Sequence, residues 1–312
     1  MPPTLLQTFE ALCHAQAAWR ELSDRGRVRA TGTDRVRFLN GMLTCDVEGL
    51  SPGEWSPSLL LDRKGHVQVS LDAVALEGEL LLDVDPGGEP LLVETLDRHI
   101  VADDVSLESL SAAWGALAID GPGAAEAAVA LGAPRLDPGR AGSAAGLLWL
   151  AGGGLGGPGV RALGPRDAID ALRRGLDLPE LAADAAEILR IEAGLTRCGI
   201  DTGERTFPQE AGLEGAVSFE KGCYVGQEIV ARIHSRGAVN RRLVQLECEE
   251  PVGPGDEIQV EGRKSGHVTS SAVSPLRGPL CLGYVRAQDA ATGTRARIGR
   301  GAAVVSDPTA SV

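Results

Sequence analysis

Aromatic residues are scarce: four Trp, four Phe and two Tyr make up 3% of 312 residues. The core must therefore be built mainly from Leu, Val, Ile and Ala. Basic residues are also in deficit, 30 against 43 acidic, giving a formal net charge of −13. That balance repels phosphate backbones and anionic lipids, so neither direct nucleic-acid binding nor a membrane surface is expected. A small anion can still occupy a local basic cleft. Among Cys13, Cys45, Cys198, Cys223, Cys248 and Cys281, no two lie closer than twenty-five residues. Compact metal-ligand spacing such as CxxC is thus absent, and no resident metal is expected.

Export and membrane signals are lacking as well. The start, Met1-Pro2-Pro3-Thr4-Leu5, has neither a basic n-region nor an apolar stretch. Scattered thiols without an export signal point to a reducing, cytoplasmic setting. Ala141 to Val160 is twenty residues without a charge, but eight are Gly, which a membrane helix does not tolerate. What is present is 43% hydrophobic and 23% charged residues, the composition of a packed chain of two or three units.

The periodicity predicts a short helix from about Leu5 to Leu22, then a strand at Arg27–Thr31. Asp34 is placed to cap a helix through Val36, Phe38, Leu39 and Met42. Period-two alternation at Val67, Val69 and Leu71, with Leu80–Val84 beyond Glu77-Gly78-Glu79, predicts an antiparallel hairpin. Glu89–His99 has helical spacing. A second rhythm follows: a strand at Ala116–Ile119, an alanine-rich helix to Leu131, and a mobile Gly/Pro-rich connection over about 133–146. A strand at Leu147–Leu150 precedes helices starting at Pro165 and from about Pro179 to Ala193. Beyond residue 240 short strand-like runs recur at Glu257–Val260, Gly266–Val273, Leu280–Val285 and Ala302–Val305. Gly/Pro punctuation between them marks a small all-β unit. The expected division is 1–240 and 241–312.

Lys221-Gly222-Cys223-Tyr224-Val225-Gly226-Gln227-Glu228 is the strongest chemical candidate. It precedes a predicted helix, Glu228–Arg236, with Gly237 at the C-terminal cap position. A helix N-terminus beside Cys223 favours a thiolate, and Lys221 adds a second positive source. Glycines at 222 and 226 keep the backbone open for a ligand. The plain alternative is a small buried apolar cysteine, the reading given to Cys248 and Cys281. His234 lies eight residues beyond Gly226, roughly 12 Å along a helix, too far for a nucleophile–base pair. His14, His66, His99 and His267 remain open as remote partners. Gly152-Gly153-Gly154-Leu155-Gly156-Gly157 matches GxGxxG, but strand-like Val160–Leu163 follows where a dinucleotide site needs a helix.

The eight-residue cysteine motif resembles the signature of the YgfZ family, folate-binding proteins involved in iron–sulfur protein maintenance. Leu189-Arg190-Ile191-Glu192-Ala193-Gly194, Pro208-Gln209-Glu210-Ala211-Gly212-Leu213 and Phe38-Leu39-Asn40-Gly41 with Asp46 resemble motifs shared with the glycine-cleavage aminomethyltransferase, the T-protein. So do Gly266-His267-Val268-Thr269-Ser270 and Ser274-Pro275. The resemblance implies an α+β fold, with T-protein-like folate-binding subdomains around a central cavity and a C-terminal β-barrel. It implies tetrahydrofolate or a one-carbon derivative as ligand, iron–sulfur client proteins or assembly factors as partners, and a link to tRNA modification. Cys223 is then the reactive thiol, Lys221 and the nearby helix end lower its pKa, Gly222 and Gly226 shape the loop, Gln227 and Glu228 orient it, and Tyr224 belongs to the same loop motif.

Gln68, in Lys64-Gly65-His66-Val67-Gln68, stands where the aminomethyltransferase carries an aspartate beside the folate nitrogen. It cannot ionise. That departure and the cysteine motif favour the accessory-factor reading. A one-carbon transferase and a non-enzymatic folate-sensing scaffold are the alternatives, and whether a reaction is catalysed stays open.

Overall fold

The computed structural model describes residues 17–308. The expected helix over 5–22 lies largely outside them. Its last residues form a strand instead, β1 (Ala18–Glu21), paired antiparallel with Leu117–Asp120. Pairing buries Ala18 and Trp19, a tertiary gain that overrides local alanine propensity.

β2 (Gly26–Thr31) leads into helix α1 (Arg35–Met42), which buries Phe38, Leu39 and Met42. Asp34 occupies the cap position but makes no capping bond; its carboxylate accepts from the backbone N–H of Asp104. Strands β3 (Glu54–Leu61), β4 (Val67–Leu76) and β5 (Glu79–Val84), helix α2 (Glu89–His99) and β6 (Ser106–Ser109) complete the first unit. The sheet order is β3-β4-β5-β2-β6. On β4, Val67, Val69 and Leu71 enter the core while Gln68, Ser70 and Asp72 share the other face, as strand alternation requires.

The second unit contains β7 (Trp114–Asp120), α3 (Ala124–Ala130), β8 (Ala141–Ala144), β9 (Leu147–Ala151), β10 (Gly159–Pro165) and α4 (Arg166–Arg174). Its sheet runs β1-β7-β10-β9-β8. The connection over 133–146 is therefore not all loop. β8 pairs with β9, and Trp55 donates its backbone N–H to Gly139. The glycine-rich turn joins β9 to β10 and opens on no helix.

Buried charges bridge the two sheets. Arg161 of β10 reaches Asp72 of β4 at 2.6 Å and Asp83 of β5 at 3.0 Å. Arg25 adds contacts to Asp83 at 3.0 Å and Asp85 at 2.6 Å.

Helix α5 (Ala183–Glu192) starts four residues later than the sequence suggests. The preceding residues are held by β1: Trp19 donates its N–H to Pro179, and Leu181 donates to Trp19. Helix α6 (Gln227–Arg236) runs between left-handed Gly226 and Gly237. Strands β11 (Arg241–Cys248), β12 (Glu257–Val260), β13 (Arg263–Ser274), β14 (Gly278–Arg286), β15 (Arg295–Ile298) and β16 (Gly301–Ser306) close a six-stranded barrel. β15, absent from the sequence reading, is a four-residue RARI strand whose arginines face solvent. Cys281 is buried in the barrel core, and the half-buried Cys248 thiol is 3.8 Å from it.

Candidate functional site

Cys223 is exposed, in the loop that leads into α6. The loop is held by backbone bonds from Ser218 to Thr44 and from Val225 to Gly41. Phe219 also stacks on the His234 ring, 3.7 Å between centroids. His234 is thus a packing partner of the loop. Gly226 has φ +83°, and a Cβ there would fall 2.5 Å from the Asp62 carbonyl oxygen. Only glycine fits both that conformation and that approach. Gly222 faces open space.

Lys221 occupies a different setting from the one expected. Its ammonium donates to the carbonyl oxygens of Asn40, Leu43 and Cys45 at 2.6, 2.6 and 2.7 Å. It therefore satisfies carbonyls at the C-terminal end of α1, where cations are favoured. Burial pushes the ammonium down to about 8, opposed by Cys45, Asp46 and Glu48. Cys223 is not among these neighbours. Burial raises the Cys45 thiol, with Ser58 and then Lys221 drawing it back. Lys221 also lies 4.9 Å from the centroid of Tyr224. That ring is buried, its hydroxyl has no hydrogen-bond partner among the described residues, and burial pushes it up to about 12.

The expected orienting bonds are also redistributed. Glu228 points outward and accepts from Arg232 at 2.8 Å, one helical turn on. Gln227 contributes its backbone N–H, which donates to Tyr224.

Two clefts lie elsewhere on this framework. One, of about 420 Å³, is lined by Asp62, Lys64, His66, Gln68, Glu204 and Arg205. The other, of about 400 Å³, includes Arg20, Arg25, Asp85, Gly153, Glu187 and Arg190. Cys223 lines neither. In the first, the Asp62 carboxylate contacts His66 Nδ1 at 3.1 Å and accepts the backbone N–H groups of Lys64 and His66 at 2.8 Å each. Burial opposes ionisation of Asp62, but these donors outweigh it and hold the carboxyl below its ordinary range.

The residue that sequence reasoning passed over is Glu192. It is fully buried at the end of α5, and neither carboxylate oxygen has a hydrogen-bond partner among the described residues. An acid at a helix C-terminus among apolar neighbours runs against the dipole, a signal legible in Leu189-Arg190-Ile191-Glu192. The segment after Glu192 returns to the first sheet, where the Cys198 thiol donates to the Gln68 carbonyl at 3.6 Å.

Comparison with known proteins agrees with this architecture. Residues 10–136 match the GCVT N-terminal domain, and residues 241–308 match the glycine cleavage T-protein C-terminal barrel domain. The chain belongs to the YgfZ/T-protein family. An aminomethyltransferase of Rubrobacter xylanophilus is 30% identical over 286 residues, covering 85% of this chain and 75% of that protein. The tRNA-modifying protein YgfZ of Sodalis glossinidius is 29% identical over 269 residues, 77% of this chain and 75% of that one. The crystal structure of aminomethyltransferase T from Bartonella henselae superposes with a TM-score of 0.88 at 24% identity, covering 99% of this chain and 89% of that one. The fold is thus that of a T-protein. Among the described residues, no helix is long and apolar enough to cross a membrane.

Proposed function

We propose that this protein binds tetrahydrofolate or a one-carbon derivative and serves, through Cys223, as an accessory factor for assembly or repair of iron–sulfur enzymes. In this reading residues 1–240 bind folate and the barrel, 241–312, closes the site. The observation that carries it is Glu192. A buried carboxylate without donors is costly. A pterin offers two adjacent N–H groups, the 2-amino group and N3–H, that match its two oxygens. Gln68 supports the accessory role over aminomethyl transfer, because an amide cannot supply the titrating carboxyl that such a transfer uses.

Calorimetry with tetrahydrofolate tests the ligand. Glu192→Gln keeps the shape but puts a donor against a donor, and is expected to weaken binding by about tenfold or more. Unchanged affinity would remove the assignment. Cys223→Ala is expected to keep folate binding while iron–sulfur enzyme activity falls in cells carrying only that variant. The relatives named aminomethyltransferases give a second reading weight, and turnover of a lipoyl-bound aminomethyl donor would establish it.

A further inference from the structure

We infer that Asp62 and His66 form a proton-accepting dyad in the cleft shared with Gln68, in which His66 Nε2 receives an N–H of the bound one-carbon carrier. This deepens the folate reading and rests on it. The geometry decides the tautomer. The Asp62 carboxylate is an acceptor only, so the 3.1 Å contact requires His66 Nδ1 to carry the hydrogen. A neutral ring then presents a lone pair at Nε2, the edge opposite Asp62. His66 Nε2 has no hydrogen-bond partner among the described residues, and the residue lines the 420 Å³ cleft.

The dyad is built rather than incidental. Asp62 is fixed by the backbone N–H groups of Lys64 and His66, and its own carbonyl accepts from Gly65. The His66 ring lies against Phe207, 4.7 Å between centroids. Phe207 belongs to a segment pinned to β4, where Val67 donates its N–H to Thr206. Both the position and the tilt of the imidazole are thereby set, which is what a nucleophile-free acid–base pair needs.

Gln68 lines the same cleft two residues on. The titratable group that Gln68 cannot provide is thus supplied from the turn that leads into its strand. When the carrier nitrogen bears positive charge, its N–H bond breaks, the electron pair stays on nitrogen, and an Nε2–H bond forms. Asp62 balances the imidazolium. The other charged groups lining this cleft are Lys64, Glu204 and Arg205.

Two measurements on the full chain test it. Imidazole ¹⁵N NMR of the free protein at pH 8 is expected to show the Nδ1–H tautomer at His66, lost or mixed in Asp62→Asn. An Nε2–H tautomer in the wild type would overturn the dyad. Tetrahydrofolate affinity of the wild type should be lower at pH 5.5 than at pH 7.5, because an imidazolium has no lone pair to accept the carrier's N–H. His66→Gln, with folding checked by circular dichroism, should bind with little pH dependence. A His66→Gln variant that binds with the wild-type pH dependence overturns the proposal and leaves the folate reading standing. A wild type that binds no tetrahydrofolate overturns both.

Discussion

The Lys221 ammonium lies 2.7 Å from the carbonyl oxygen of Cys45, so the lysine of the cysteine motif is bonded to the chain just beyond α1. It fastens the loop carrying Cys223 to the first unit through three carbonyls. Lys221→Met keeps the stem and removes the donors. It is expected to cost about 1.5–3 kcal/mol, the range for hydrogen bonds to a charged group. Urea unfolding measures this, and a variant as stable as the wild type would show the carbonyl contacts to be idle.

The two glycines flanking Cys223 differ in what they permit. Gly226→Ala sets a Cβ 2.5 Å from the Asp62 carbonyl oxygen at φ +83°. A loss of about 1–3 kcal/mol is expected, the range for a strained backbone position. Gly222→Ala meets nothing within 4 Å and is expected to stay within about 0.5 kcal/mol. Equal effects at the two sites would contradict this packing of the loop on the Asp62 turn.

Much of this architecture is legible in the sequence because it rests on local pattern. The β4–β5 hairpin follows from alternation around Gly78, α2 from four-residue spacing, and α6 from glycines at both ends. Other parts depend on distant partners. Ala18–Glu21 is a strand only because β7 offers an unpaired edge, and β8 only because β9 does. The site divides in the same way. Exposure of Cys223 before a helix follows from its neighbours. The pairing of Lys221 with α1 joins residues some 180 apart in the chain, and no local rule reports it.

Tyr224 and Tyr284 make stability sensitive to alkali. Burial pushes both hydroxyls up to about 12. In the unfolded chain a tyrosine loses its proton near 10. Above that pH the unfolded state binds fewer protons than the folded one, so stability declines between about 10 and 12. Tyr224→Phe removes a buried hydroxyl that has no partner among the described residues. It is expected to be neutral or stabilising at pH 7 and to flatten the alkaline decline, as thermal melts from pH 7 to 11 would register. Tyr284→Phe loses the 2.9 Å bond to the Asp201 carbonyl and should destabilise at pH 7. An alkaline decline in Tyr224→Phe as steep as that of the wild type would remove Tyr224 from the account.

The bridge between the two sheets is the most vulnerable feature of the core. Arg161 is 3% exposed, and its contacts to Asp72 and Asp83 join β10 to β4 and β5. Trp55 covers the guanidinium at 4.8 Å. Arg161→Met leaves the buried Asp83 and the partly buried Asp72 short of a cation. Breaking such a pair from one side costs about 3–5 kcal/mol, since the remaining charge stays desolvated. Arg173 offers the control, because its contact with Glu21 is 3.8 Å and half-exposed on both sides. Arg173→Met should leave the unfolding midpoint unchanged, as exposed pairs contribute little. Similar midpoints for the two variants would mean that Arg25 and Arg27 compensate Asp72 and Asp83 without it, and that the sheets are held together by their apolar contacts.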